Sequence, residues 1–383
     1  MAQIKQFRGL NTVSDALRMG ISWLTQADNV NITDTGALEK RAGFTPDQLG
    51  SFTSAYSTDD FQRMYLVDGL VLKTYEGTTL ATLSSSATVQ WTEINDQVYF
   101  SNGVDCGIIQ PDNSVIDWRW PVPTAPTVSL ATGTLASGIY SVCCTYVLAD
   151  GRETGPSDPV TITLVEGQAI TISDVPQFPG TSTRIYIAPA NSSVFQLAAK
   201  TTGSAITWNF SNDALGIDLT TDGLDPLPTG VSCIQMFRGR VYASQYIPSI
   251  GQTVVWYSQP LGFHLFRLNT DFFMVQGAVT MLAPTDTALI VGTTDEVFSY
   301  DGERLTQIAD YGVIQGQHWA KDEGRTLFWT SRGVCAAMPF TNLTEKSVSV
   351  APGIKAGGTI VRQGGQTRYL VALQQGGSAF NSL

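Results

Sequence analysis

The sequence predicts an all-β protein: a β-propeller of about six blades, interrupted by an inserted fibronectin III-like or immunoglobulin-like β-sandwich. Three observations carry that expectation. The first is composition. The 383 residues include 36 Gly and 17 Pro, with 43% hydrophobic and only 14% charged residues. Richness in Gly, Pro, Thr, Ser and Val with little Lys and Glu suits turns and pleated strands better than helices. The second is a short motif that recurs at intervals near 40 residues. The third is a proline-bounded segment that breaks those intervals and carries a strand pattern of its own.

The motif is a polar pair, then two apolar or aromatic residues, then a strand and a tight turn. Its copies are Gln62-Arg63-Met64-Tyr65, Asp96-Gln97-Val98-Tyr99, Gly239-Arg240-Val241-Tyr242, Thr287-Ala288-Leu289-Ile290, Arg325-Thr326-Leu327-Phe328 and Thr367-Arg368-Tyr369-Leu370. Turns are marked at Asp68-Gly69, Asn102-Gly103, Arg332-Gly333 and near Gly376-Gly377. Such pairs supply the positive φ that tight hairpins need. Tyr65 to Tyr99 is 34 residues and Tyr99 to Tyr242 is 143; without residues 122–228 the second gap becomes 36, and the next are 48, 38 and 42. Short strands repeating at about 40 residues indicate one four-stranded blade per repeat. The last copy stands too near the chain's end to complete a blade. A hairpin of Val30-Asn31-Ile32 and Ala37–Arg41 around Asp34-Thr35-Gly36 is therefore expected to close the ring on the last blade, removing free edges.

The chain accordingly divides into 1–121 and 229–383, the two parts of the propeller, and 122–228, the inserted sandwich. Pro121, Pro123 and Pro126 mark entry, and Pro226 and Pro228 mark exit. Tyr140 to Leu148 alternates with period two, as a half-buried strand does. Further strands are expected at Val160–Leu164, Ala169–Ile172, Arg184–Ile187, Val194–Ala198 and Ala205–Phe210. About seven strands in about 100 residues fit this kind of sandwich, and the missing cysteine spacing of immunoglobulins favours the fibronectin-like form.

Charge and chemistry narrow the function. A net charge of −11 opposes gripping nucleic acid through phosphate neutralisation. The insertion holds nine acids and three bases, a solvated face or a face for cations or partners. Cys106, Cys143, Cys144, Cys233 and Cys335 are odd in number and lack a Cys-x-x-Cys, so no disulfide framework or zinc site is expected. Cys143 and Cys144 should point to opposite faces of one strand as apolar filler. His264 and His318 are the two histidines, each expected in a core or at an edge, too few for a His triad or multi-His site. No catalytic, cofactor-binding or metal-ligating residue is assigned, and no cofactor is expected. No apolar run is long enough for a transmembrane helix, and Met1–Leu10 lacks the apolar core of a secretory signal.

Phe7-Arg8-Gly9-Leu10-Asn11, Ala27-Asp28-Asn29-Val30-Asn31-Ile32 and Gly36-Ala37-Leu38-Glu39-Lys40-Arg41-Ala42-Gly43-Phe44 resemble the N-terminus of tail nozzle proteins of short-tailed bacteriophages, also called tail hub or stabilisation proteins. The insertion, through Gly138-Ile139-Tyr140, Asp150–Ser157 and Arg184-Ile185-Tyr186-Ile187, resembles fibronectin-like modules of such tails. The resemblance implies a non-enzymatic virion protein, made and assembled in the host bacterial cytoplasm and residing in the tail. Copies, six in the family, would form a ring below the adaptor that joins the portal, with needle, fibre or spike proteins below and around. The ring would extend the DNA channel, retain the genome and open for ejection. An acidic lumen would let DNA pass without sequence-specific binding. The residues lining that lumen are unknown from sequence, and no stable membrane insertion is implied.

Two alternatives stand beside it. A carbohydrate-binding or carbohydrate-active propeller could use Trp118, Trp120 and Trp256-Tyr257, although such aromatics also serve as blade packing and the sialidase Asp box is missing. A tail-tip host-receptor adhesin would bind through residues 122–228.

Overall fold

A computed structural model describes residues 6–33, 35–41, 43, 45, 47–363 and 366–376. Helix is confined, among the described residues, to a single 3-10 turn at Asn212–Ala214; the architecture is all-β.

Outside the insertion, six antiparallel sheets follow one another along the chain. Each begins with one of Phe52–Ser57, Gln90–Ile94, Cys233–Phe237, Val279–Pro284, Ala320–Asp322 and Lys355–Gln363. The second strands are Met64–Asp68, Gln97–Ser101, Arg240–Ile247, Leu289–Thr293, Arg325–Thr330 and Gln366–Gln374. Every copy of the sequence motif therefore supplies the second strand of its sheet, or leads directly into it. The reason is burial. Tyr65, Ile290 and Phe328 are fully buried, and Tyr99 and Tyr242 nearly so, because a second strand has neighbours on both sides. Gly69, Gly103 and Gly333 turn three of these strands, with φ of +61°, +92° and +104°. Of the last expected turn, Gly377 lies outside the described residues.

The first, second, fourth and fifth sheets have four strands, the third has five, and the last is a two-stranded hairpin. Apolar clusters weld consecutive sheets. Tyr65, Trp91 and Phe100 join the first and second; Tyr99, Trp118, Ile234 and Phe263 the second and third. Tyr242, Val255 and Leu289 join the third and fourth; Met281, Ile290 and Phe328 the fourth and fifth. The hairpin joins the fifth through Trp329, Ala356 and Leu373, and through the Ala356 and Gly358 amides donating to Gln315 and Gln317.

The expected ring closure by the N-terminal strands is corrected. Val30–Ile32 and Leu38–Lys40 do form a hairpin, with Val30 opposite Lys40, but it is a sheet of its own. Within the chain it is held by the segment before it, the Phe7 amide donating to the Gly36 carbonyl.

The insertion forms two stacked sheets. Thr127–Thr132, Gln168–Ser173 and Ile206–Trp208 make one; Val160–Leu164, Gly138–Val147, Ser182–Ala188 and Gln196–Thr201 make the other. Their facing residues, among them Tyr140, Val142, Cys144, Ile170, Ile185 and Trp208, form one core. Cys143 points the other way, opposite Tyr186, and is also buried. By Asp225 the chain has left the sandwich, since Asp225 bridges Phe266 of the third sheet.

Candidate functional site: the axial cavity

The first strands of the six sheets, or the turns beside them, surround one cavity of about 1050 Å³. Small side chains keep it open: Ser54 and Ala55 from the first sheet, Thr92 from the second, Gly357 and Gly358 from the terminal hairpin. Cross-links between sheets fix its wall. The Ser54 hydroxyl donates to the Val89 carbonyl at 2.8 Å and accepts from Trp91 Nε1 at 2.8 Å. The Thr92 hydroxyl oxygen accepts from the Met236 amide at 3.0 Å.

One rim gathers aromatic and charged groups. Tyr56 stacks on Trp91, with centroids 5.8 Å apart and planes at 18°. Burial, then the neighbouring Glu93 and Asp59 carboxylates, push the Tyr56 phenol well above its usual range. Glu93 accepts from the Asp59 amide at 2.9 Å and lies 4.0 Å from Arg63. Phe61 sits in the turn after the first strand, 84% exposed and with φ of +58°, a conformation rare for a bulky residue. That turn is held by Asp60, which accepts from the Thr58 hydroxyl at 2.5 Å and the Gln62 amide at 3.0 Å. Across the cavity Arg238 donates to the carbonyls of Thr287 at 2.9 Å and Asp301.

The lining mixes Arg41, Arg238, Lys321 and Lys355 with Asp59, Glu93 and Asp286, and it contains no His or Cys. Near-balanced charge with an aromatic rim suits a polar, roughly neutral ligand rather than a polyanion. Apart from Arg41, which the sequence placed in the N-terminal hairpin, none of these residues stood out from the sequence. The signal was indirect: each first strand precedes its motif copy by a few residues, so the motif locates the wall without naming its chemistry.

The residues singled out from the sequence lie elsewhere. Trp118 is fully buried against Tyr99, their rings edge-to-face at 5.1 Å, and its Nε1 donates to the Phe263 carbonyl at 2.9 Å. Trp120 packs on Phe178 at 5.7 Å, and Trp256 Nε1 donates to the Leu268 carbonyl at 3.3 Å. Tyr257 lies between Tyr242 and the Arg240 guanidinium. These aromatics pack the sheets. His318 is fully buried: Nε2–H donates to the Ile314 carbonyl at 2.7 Å, and Nδ1 accepts from the Trp329 amide at 3.0 Å. Burial pushes its pKa down to about 4. The cysteines are free; burial raises Cys144 to about 12 and Cys233 to about 11.

In the insertion, two segments distant in sequence meet. Glu153 accepts from the Thr145 hydroxyl at 2.5 Å, the Tyr186 hydroxyl at 2.8 Å and Arg184 at 2.5 Å. Its acids are otherwise dispersed, and among the described residues no three His, Cys, Asp or Glu side chains converge on one point.

No family model matches this chain, and no curated protein matches it. Among solved structures, it is similar to the extracellular domain of the putative one component system BT4673 from B. thetaiotaomicron, at 11% identity and a TM-score of 0.32. That likeness covers 85% of this chain but only 37% of the other. The RRP9 WD40 repeats align at 8% identity and a TM-score of 0.30, over 76% of this chain and 77% of theirs. Citrobacter koseri AztD aligns at 10% identity and a TM-score of 0.28, over 82% and 87%. Likenesses this distant carry no functional argument.

Proposed function

We propose that this chain is a structural, non-enzymatic component of a short-tailed bacteriophage tail, one subunit of the nozzle ring through which the genome is retained and then released. The observation that carries the reading is an unusual N-terminal surface. Val13, Leu17, Ile21 and Leu49 are 52%, 94%, 67% and 89% exposed within the first 50 residues. Aliphatic side chains exposed along this N-terminal stretch suit burial between subunits better than exposure to water. The stretch includes the segments that resemble nozzle N-termini, and there the Asn11 side chain accepts from the Val13 and Ser14 amides, fixing the turn. The acidic composition agrees with DNA passing without tight binding to the wall. Mass measurement of purified virions tests the reading: the chain should be present in several copies per particle, and its absence from particles would overturn it.

A second reading is favoured by the cavity rim. Exposed Phe61 beside Tyr56 and the carboxylates of Asp59 and Glu93 would suit a sugar ring in a binding propeller. Glycan-array binding lost in Phe61→Ala would support it; no binding to any glycan would remove it.

A further inference from the structure

Apolar clusters join each consecutive pair of sheets, but among the described residues none joins the terminal hairpin back to the first sheet. Ser54 Oγ of the first sheet lies 3.5 Å from Oε1 of Gln317, which precedes the fifth sheet and whose carbonyl accepts from the hairpin's Gly358 amide. The axial cavity extends along this seam, since Leu370 and Ala372 of the hairpin line it together with Thr53 and Ala55 of the first sheet. The hairpin is also short of strands. The other five sheets have four or five, whereas among the described residues its outer strand, Gln366–Gln374, has a strand partner on one side only. Nine residues of open edge present a row of outward N–H and C=O groups, a template for another strand.

The same chain carries a hairpin without a sheet. Among the described residues, Val30–Ile32 and Leu38–Lys40 pair only with each other. A lone two-stranded hairpin is marginally stable. Among the described residues the terminal sheet has two strands fewer than its four-stranded neighbours, and this antiparallel hairpin stands outside any larger sheet. Their charges are opposite. Residues 355–374 contain Lys355, Arg362 and Arg368 and no acid, while residues 28–41 contain Asp28, Asp34 and Glu39 against Lys40 and Arg41. Within one chain the N-terminal hairpin is bonded to the segment before it, and Arg41, just after it, lines the cavity. The Phe7 amide donates to the Gly36 carbonyl, and Thr12 is held by Ser347 and Ser349, beyond the fifth sheet.

We propose that the Gln366–Gln374 edge receives the Val30–Lys40 hairpin of a second copy of this chain, completing a four-stranded sheet by strand addition. Each copy then gives its N-terminal hairpin and receives another. This is a head-to-tail contact, which closes into a ring when the rotation allows. The inference rests on the ring assembly proposed above and adds the surface that makes it.

The test uses full-length protein. One tagged variant carries Leu38→Cys and a differently tagged one carries Thr367→Cys, both at exposed positions. The two are mixed at high concentration with a short bismaleimide, the native chain serving as control for its own cysteines. The expected result is a cross-linked species bearing both tags, lost when Arg368→Glu is added to the acceptor while its melting temperature stays unchanged. Two results overturn the proposal: no mixed-tag product from folded chains, or a Leu38→Cys/Thr367→Cys double variant that cross-links only within itself. The virion mass measurement is independent, so a protein present in particles but not cross-linked refutes the strand addition and leaves the tail reading standing.

Discussion

The Nε2–H of His264, on the third sheet, donates to the main-chain carbonyl of Glu153 in the insertion at 3.1 Å. Through this bond the sandwich is attached by more than its two connecting chains. The side chain of the same Glu153 ties Thr145, Arg184 and Tyr186 together on the sandwich, with 11% of that side chain exposed. Replacing Glu153 with Ala leaves the Thr145 and Tyr186 hydroxyls without this acceptor and the partly buried Arg184 guanidinium with only a long contact to Tyr186 Oη at 3.5 Å. The partial exposure of Arg184 discounts the loss to about 1–3 kcal/mol. Urea unfolding of the full chain should show the lower midpoint.

His318 makes stability depend on pH. Its folded pKa of about 4 lies below the ordinary 6.5, because burial disfavours the charged ring. A depressed folded pKa means that the unfolded chain takes up the proton first. The stabilisation is therefore complete above about pH 6.5 and is lost as pH falls toward about 4, by roughly 3 kcal/mol in total. Denaturation midpoints across that interval should fall more steeply for the native chain than for His318→Gln, in which carboxylate titration alone remains.

Gly155 packs against Leu224, where the chain leaves the sandwich. A Cβ there would stand 1.8 Å from the Leu224 carbonyl oxygen, and main chain cannot yield as a side chain can. Gly155→Ala should cost about 1–3 kcal/mol or more. Gly151→Ala is no simple control for space, because φ of +87° strains it whatever the room. Gly376→Ala, which meets nothing nearby, should leave the melting temperature unchanged.

Trp118 discriminates packing from ligand binding. Trp118→Ala should cost about 3–5 kcal/mol by opening a void between the second and third sheets. Its effect should be on thermal unfolding. A variant of unchanged stability that had lost glycan binding would contradict the packing role.

Much of the fold was legible in the sequence because strand periodicity and burial coincide. The six motif copies fall at second strands, and in the first five sheets neighbours on both sides demand apolar Tyr65, Tyr99, Tyr242, Ile290 and Phe328. The strand at Val160–Leu164 was bounded correctly, and Cys143 and Cys144 do face opposite ways, since alternation is a local property of the chain. Local pattern also allowed the N-terminal hairpin to be read as a hairpin.

The cavity wall was not legible. Tyr56, Phe61 and Glu93 acquire meaning only because strands from distant parts of the chain converge on one axis. The pairing of Glu153 with Arg184 joins residues 31 apart, and that of Glu153 with His264 spans 111. Sequence alone determined which segments become strands and which of their residues must be buried, because those follow from period and turn chemistry. Tertiary structure alone decided that the N-terminal hairpin stays apart, that the terminal sheet keeps an open edge, and which polar groups share the cavity. Pairing between remote strands is set by the summed fit of whole surfaces, and no short stretch of sequence contains that sum.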